Sequence, residues 1–395
     1  RATAVVEVDR VRGAIRRGLM RPIPPSAIRR ILIRANNWIG DVVMISPAVR
    51  ALREHFGGAR IAILAKPWVL DTLRGNPFYD DLIEYDDEGN HAGTGGFLRL
   101  IARLRKERFD LAILFQKAFE AAAIARLAGI PFRVGYATDF RSALLTHPLP
   151  LRPADTHHID LFLGIPAAHG CAISDPLPIF RDDAGPRARA IEFLRQAGAD
   201  EDRPLVALHP GASKEPRAWH PERFAALGHR LGQRIGARVL LLAGPGDRRL
   251  SEEIRRGLPR DCIVPTGSDL TLKMMAGLIE RCDLFVGNDS GPMHLAAALD
   301  VPTLAFFGPG APRRTAPRAR SNRITCLSRD YPCAPCRQDF FQECPPAPSG
   351  KPFCLEEIRV EEAEAHALAL LGAGPIRAPL GGGRAGSQPS DAVQT

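Results

Sequence analysis

The sequence lacks the features that define several large classes of protein. No apolar run approaches the roughly 20 residues that a membrane-spanning helix needs. The start of the chain has no continuous apolar core of the kind found in signal peptides. Only four Tyr and three Trp are present, which leaves few rings for stacking on nucleic-acid bases. These absences disfavour a transmembrane, secreted or nucleic-acid-binding protein and predict a cytoplasmic location.

Two familiar nucleotide-binding loops are also missing. No GxxxxGKS or GxxxxGKT loop occurs, and neither Gly244-Pro245-Gly246 nor Gly308-Pro309-Gly310 completes a GxGxxG turn. No Asp-x-Asp pair stands out at the end of a predicted strand. We therefore expect a chemistry that requires no metal ion and no cofactor other than the substrates themselves.

The chain is long enough for two domains, and it is basic. Its 395 residues carry a net charge of +9, with 45% apolar and 25% charged residues, as in globular proteins. Because the charge is spread along the chain, we expect phosphorylated small molecules or an anionic membrane face as partners, rather than nucleic acid. Residues 1–28 form a basic leader, which is either a solvated helix or a membrane contact.

Strand and helix patterns alternate along most of the chain, which predicts an α/β protein with parallel, doubly wound sheets. Predicted strands are 31–34, 61–65, 82–85 and 111–114, then 205–209, 239–243, 262–264, 284–286 and 303–307. One long helix is predicted over 41–55. Residues 148–186, rich in Pro, Ala and His, are predicted to be a linker. We expect two Rossmann-like domains, 29–180 and 181–371, facing each other across a cleft, and a disordered tail over 372–395.

A Gly-rich turn between strand 284–286 and a helix that starts at Pro292 is the most informative local feature. It places the N–H groups of Ser290, Gly291 and Met293 at a helix N-terminus, where anions bind. An ordinary strand–turn–helix would have the same glycine and proline. Asp289 and His294 at such a turn add little to packing, so they favour a ligand site.

Other strand ends carry related chemistry. After strand 31–34 comes Asp41, which is either a simple helix-terminal charge or a general base at the carboxyl edge of the sheet. After strand 205–209 come Gly211, Ser213, Lys214 and Arg217, which suit a phosphate group. Asp247, in the next strand-end turn, suits a ribose diol. Together these loops predict one nucleotide site.

The motifs resemble those of glycosyltransferase family 9, and within it the ADP-heptose:lipopolysaccharide heptosyltransferases of the second type. The resemblance rests on Asn37-Trp38-Ile39-Gly40-Asp41, His209-Pro210-Gly211 and Asn288-Asp289-Ser290-Gly291-Pro292-Met293-His294. It implies a GT-B fold and inverting transfer of a heptose from ADP-heptose to the inner core of lipopolysaccharide. It also implies that the N-terminal half holds the lipid A-core acceptor at the inner membrane surface and that the C-terminal half holds ADP-heptose.

By motif position, the resemblance implies that Asp41 is the base and that Ser213 contacts phosphate. Asp289 and His294 match nucleotide-sugar contacts. Where the family has an active-site lysine this chain has Arg217, so Lys214 is a second candidate for that role. The alternatives are another GT-B nucleotide-sugar enzyme, including an epimerase, or a non-enzymatic protein that binds nucleic acid or another partner.

Five of the eight cysteines lie between Cys326 and Cys354. Cys333, Cys336, Cys344 and Cys354 could hold a structural zinc ion, but the second pair lacks the CxxC spacing of typical zinc sites. We favour reduced, unliganded thiols over zinc, and zinc over a redox function.

Several residues have an ordinary structural interpretation. His157 and His158 are expected to be surface or linker polar groups rather than acceptor-phosphate ligands. Met274 and Met275 are expected in a helix core. Trp38 either lines the cleft or packs beneath the turn that carries Asp41.

Overall fold

The computed structural model describes residues 23–181, 184–199, 202–244, 248–265, 270–333, 336, 341–342 and 344–372. Most of the predicted leader, nearly all of the predicted tail, and Asp247 lie outside these residues. Within the described part of the chain, no helix combines the length and apolar character needed to cross a membrane.

The first domain is built on a six-stranded parallel sheet with the order β3-β2-β1-β4-β5-β6. Ile31 on the central strand pairs with Ile61 on one side and with Leu111 on the other. Both faces of this strand are buried because helices cover both sides of the sheet. The strands are β1 Arg30–Arg34, β2 Arg60–Ala65, β3 Asp81–Glu84, β4 Leu111–Leu114, β5 Phe132–Tyr136 and β6 His147–Leu149.

Six α-helices accompany this sheet. They are α1 Ile39–Met44, α2 Ser46–His55, α3 Pro67–Leu73, α4 Gly93–Glu107, α5 Phe119–Leu127 and α6 His158–Ala168. The single helix predicted over 41–55 is wrong, since the chain breaks at Ile45 and restarts with Pro47 in the first turn of α2. Proline has no N–H to continue the hydrogen-bond ladder of a preceding helix.

The predicted linker over 148–186 is wrong as well. Helix α6 lies inside it, and Ile159, Phe162 and Ile165 are buried in the core of the first domain. The helix begins with His157 as its N-cap, whose Nδ1 accepts a hydrogen bond from the Ile159 N–H at 3.2 Å. Strands β5 and β6 were also not among the predicted strands.

The second sheet is parallel and has the order β11-β10-β9-β7-β8. The strands are β7 Leu205–His209, β8 Arg238–Leu241, β9 Leu284–Asn288, β10 Thr303–Phe306 and β11 Ile324–Leu327. The helices are α7 Ala184–Gln196, α8 Pro221–Ile235, α9 Arg248–Arg256, α10 Leu272–Glu280, α11 Gly291–Ala298, α12 Pro312–Thr315, α13 Phe353–Glu356 and α14 Val360–Gly372. The predicted strand 262–264 is only an isolated bridge between Ile263 and Leu240, whereas Met274 and Met275 are buried on α10 as predicted.

Each sheet has one point where the strand order reverses direction. In the first sheet it lies between β1 and β4, and in the second between β7 and β9. Ligands of open α/β sheets bind at the carboxyl ends of the strands beside such a point. We therefore expect a ligand site in the loops that follow these four strands.

Candidate active site

Asp41 occupies the first turn of α1, directly after β1. The loop before it is held by the buried guanidinium of Arg34, which donates to the Ala35 carbonyl at 2.6 Å and to Asn37 Oδ1 at 3.0 Å. The side chain of Asp41 is 18% exposed, so the carboxylate is partly shielded yet open to a ligand. Trp38 is 66% exposed and does not pack beneath the turn.

A buried asparagine joins the loops after β7 and β9. Asn288 accepts a hydrogen bond from the Trp219 N–H at 2.9 Å and donates to the Pro210 carbonyl at 2.7 Å. Trp219 is itself buried and donates its indole N–H to the Ile358 carbonyl at 3.0 Å. These bonds fix the loop 210–219 against the strand that carries Asp289.

Arg217 and Asp289 form an ion pair between these two loops. Burial raises the pKa of Asp289, and the Arg217 guanidinium opposes that rise. Gly211 is buried close to the strand end, whereas Ser213 and Lys214 are exposed. The structure thus favours Arg217 over Lys214 as the cation nearest Asp289.

The N-terminus of α11 lies beside Asp289. Ser290 is its N-cap, and the Ser290 hydroxyl is buried without a hydrogen-bond partner among the described residues. Pro292 is in the first turn, and the Met293 side chain is buried in the core. Met293 can therefore contribute only its backbone N–H to a ligand. The unpartnered hydroxyl and the N–H groups of this first helical turn are suited to phosphate oxygens.

His294 on α11 lies against the first domain. A methyl group on Gly40 would come within 2.7 Å of His294 Cδ2, so the absence of a side chain at Gly40 permits this contact. Burial lowers the pKa of His294 to about 4, although the Asp41 carboxylate opposes that change. A neutral imidazole at this point can donate or accept a hydrogen bond but adds no formal charge.

Asp41, Asp289 and His294 are thus brought together across the junction of the two domains. The charge of Asp41 acts on both the Asp289 carboxyl and the His294 ring. Helices α1 and α11 pack against each other; Asp41 and His294 lie in their first turns, and Asp289 directly precedes the N-cap of α11. The carboxylate predicted to be a base faces the turn predicted to bind a nucleotide sugar.

Three cationic or ionisable residues at this junction were not predicted to belong to the site. His158 Nδ1 lies 3.5 Å from Asp41 Oδ1, and Arg314 on α12 lies 3.5 Å from His158 Nε2. Lys117 follows β4, beside the reversal point of the first sheet. Burial lowers the pKa of Lys117, as does nearby Arg314, while Asp41 raises it. Its place directly after a predicted strand was the available signal.

The expectation that His157 and His158 are surface polar groups is wrong. His157 is buried, and its Nε2 lies 2.9 Å from the Ala316 carbonyl of the second domain. Burial lowers the pKa of His157 to about 4. Both histidines belong to the region predicted as a linker, and the misassigned linker concealed their contacts with the second domain.

Cys333, Cys336, Cys344 and Cys354 line one small pocket with Tyr331 and Phe341. Burial, followed by the neighbouring thiols, raises the pKa of Cys354 to about 11. Among the described residues, no three His, Cys, Asp or Glu side chains are grouped so as to hold a metal ion.

The model of the family described as "Glycosyltransferase family 9 (heptosyltransferase)" matches residues 97–344, more than half of the chain. This chain belongs to glycosyltransferase family 9. The protein is therefore a glycosyltransferase, and the two facing Rossmann-like domains are the GT-B fold of its structural relatives.

Individual relatives agree with the family. Lipopolysaccharide heptosyltransferase 2 of Salmonella typhimurium is 28% identical over 316 residues, which are 76% of this chain and 89% of that protein. The structure of E. coli ADP-heptose lps heptosyltransferase II superposes with a TM-score of 0.71 at 23% identity, covering 87% of this chain and 99% of the other. The structure of E. coli heptosyltransferase WaaC with ADP superposes with a TM-score of 0.64 at 16% identity, covering 86% of this chain and 99% of the other.

Proposed function

We propose that this glycosyltransferase moves a heptose from ADP-heptose to the inner core of lipopolysaccharide, with inversion at the anomeric carbon. The observation that carries the proposal is the position of Asp41, which faces Asp289 and His294 across the domain junction. The name of the Salmonella relative supports the substrate class. The acceptor would be a lipid A-core molecule presented at the inner membrane surface.

In the proposed mechanism, Asp41 accepts the proton of the acceptor hydroxyl as its oxygen attacks the anomeric carbon. The bond between that carbon and ADP breaks in the same step. Asp41 is suited to this role because it stands at the sheet edge of the first domain and faces the turn proposed to hold the donor. A single displacement of this kind reverses the anomeric configuration.

The leaving diphosphate gains negative charge as the glycosidic bond breaks. The N–H groups of Ser290, Gly291 and Met293, the Ser290 hydroxyl and the Arg217 guanidinium would stabilise that charge. Gly211 permits close approach of the phosphate, and Ser213 and Lys214 can reach it from the exposed loop. Asp289 and His294 would contact the sugar. No step requires a metal ion.

Calorimetry with ADP-, UDP-, GDP- and CMP-sugars tests the donor class. We expect ADP-heptose to bind best. Asp289→Ala and His294→Ala should each weaken its binding by about 1–3 kcal/mol, the cost of leaving buried polar groups unpaired. His229→Ala, on an exposed position of α8, is the control and should leave affinity unchanged. Preference for another nucleotide, or unchanged affinity in both site variants, would refute the proposed donor site.

A further inference from the structure

We propose that His158 is a positioning residue for Asp41, and that Arg314 of the second domain selects the imidazole tautomer that performs this role. The inference rests on the proposed function, because it assumes that Asp41 is the base. Its starting point is the order of three side chains across the domain junction, in which Asp41 is followed by His158 and then by Arg314.

His158 is placed between a carboxylate and a guanidinium. Its Nδ1 lies 3.5 Å from Asp41 Oδ1, and its Nε2 lies 3.5 Å from an Arg314 nitrogen. The Nδ1 atom is buried and has no hydrogen-bond partner at full hydrogen-bonding geometry among the described residues. Catalytic hydrogen bonds are often long without substrate and tighten when it binds, so this separation is suited to a bond completed in the working complex.

The donor and acceptor chemistry of the neighbours determines where the His158 proton resides. A guanidinium has only donors, so the Nε2 that faces Arg314 must accept. In a neutral imidazole the other nitrogen then carries the hydrogen. The Nδ1–H therefore points toward Asp41, whose ionised carboxylate can only accept. Arg314 and Asp41 together favour one tautomer of the histidine between them.

The surroundings of His158 hold the ring but offer no rival partner for Nδ1 in the described structure. Its ring lies edge-on to Phe162, with 6.0 Å between ring centres. Besides Asp41 and Arg314, the ionisable groups close enough to interact electrostatically with His158 are His157, Asp289 and His294. Of the carboxylates among the described residues, Asp41 alone has an oxygen paired with His158 Nδ1 within 4.0 Å.

The arrangement couples the orientation of the base to contact between the domains. His158 begins α6 of the first domain, whereas Arg314 belongs to α12 of the second. Contact between the domains brings Arg314 to His158. Arg314 then excludes the tautomer with an unprotonated Nδ1, whose lone pair would repel the Asp41 carboxylate. A donor to the ionised carboxylate fixes its direction, so the base is oriented when the two domains are in contact.

Three variants of His158 separate positioning from packing. His158→Phe keeps the ring beside Phe162 but removes the donor. His158→Asn places an amide near the position of Nδ1, and His158→Gln places one near Nε2. We expect kcat to fall at least about tenfold in the Phe and Gln variants, a fraction of the loss for removing a base. The Asn variant should retain most turnover, and the KM for ADP-heptose should change little in all three.

The pH profile provides a second readout. Loss of the donor removes a hydrogen bond that stabilises the ionised carboxylate of Asp41, so the acid limb of the kcat profile should move to higher pH in His158→Phe and His158→Gln but not in His158→Asn. A fold-supporting role alone would not produce this pattern. Wild-type turnover in His158→Phe, or equal losses in the Phe and Asn variants, would overturn the proposal.

Arg314→Met tests tautomer selection. It should lower kcat in the wild-type background but have little further effect beside His158→Asn, because a carboxamide can rotate to present its donor. Equal losses in both backgrounds would overturn the role of Arg314. Asp41→Asn, assayed in parallel, separates the two proposals: an inactive Asp41→Asn beside a fully active His158→Phe refutes positioning only, whereas an active Asp41→Asn refutes the base assignment itself.

Discussion

The Arg217 guanidinium pairs with the Asp289 carboxylate across the carboxyl ends of β7 and β9. The pair lies beside the reversal point of the second sheet, and burial is the main influence on the pKa of Asp289. We therefore expect Arg217 to have two roles, which are to stabilise the ionised form of Asp289 and to contact the donor diphosphate.

Replacing Arg217 should expose both tasks. Arg217→Met leaves a buried carboxylate without its partner, so we expect ADP-heptose affinity to fall by about 1–3 kcal/mol. Arg217→Lys keeps the charge but not the fork geometry, and should lose less. Lys214→Met, at the exposed neighbouring cation, is the comparison and should lose less affinity than Arg217→Met. Calorimetry in which Lys214→Met loses more affinity than Arg217→Met would move the cationic role to Lys214.

Gly40 lies where the two domains touch, and a methyl group there would meet His294 Cδ2 at 2.7 Å. The His294 ring is buried and has little room to move, so Gly40→Ala should push α1 away from α11. We expect kcat to fall at least about tenfold, because small misplacements of reacting groups are costly. Gly58→Ala is the control because nothing lies within 4 Å of its added carbon. Steady-state kinetics that show equal turnover in both variants would contradict the close contact.

Histidines that the fold shields from water and keeps neutral make the free energy of unfolding depend on pH. Burial lowers the pKa of His169 to about 3 and that of His294 to about 4, below the unfolded value of about 6.5. The unfolded chain therefore binds more protons between these values, so stability is complete above pH 6.5 and falls as the pH drops. From pH 7 to 5 we expect a loss of about 2 kcal/mol for each such histidine.

Urea unfolding of His169→Phe measures this contribution. The variant should lose less stability than the wild type between pH 7 and 5. His366→Gln, at an exposed position of α14, should follow the wild type. An identical loss in His169→Phe and the wild type would show that His169 does not carry the effect.

The pocket lined by Cys333, Cys336, Cys344 and Cys354 leads to a prediction about metal content. We expect substoichiometric zinc in protein purified without a His tag, because the thiols are predicted to be reduced and unliganded. Elemental analysis decides the matter. About one equivalent of zinc per chain, lost in Cys333→Ser/Cys336→Ser, would show a structural metal instead, since four thiolates leave no open position for catalysis.

Local patterns predicted the fold where each strand is a short apolar run ended by a Gly-rich turn. The strands that precede Asp41, Ser213 and Asp289 were found within a residue or two of their observed ends. The prediction for 148–186 failed because α6 is apolar on every face beyond its first turn and contains Pro166, so it has neither helical periodicity nor a typical composition. Its burial between a sheet and the second domain is a tertiary effect that local propensity does not encode.

The residues of the candidate site were likewise predictable only where the local sequence reveals them. Asp41 and Asp289 could be predicted because each follows a strand at a sheet edge. The partnership of His158 with Asp41 and Arg314 joins three distant segments, so spacing along the chain gives no sign of it. The residues that chemistry requires at a strand end are visible in the sequence, whereas the residues that position them from another element are not.

An assay of heptose transfer tests the proposed function most directly. The protein would be incubated with ADP-heptose and a lipid A-core acceptor, and the product examined by mass spectrometry and by its anomeric configuration. The wild-type protein should add one heptose with inversion. Asp41→Asn should turn over about 10²–10⁴-fold more slowly with unchanged ADP-heptose affinity. No heptose addition by the wild type, retention of configuration, or near-normal turnover in Asp41→Asn would contradict it.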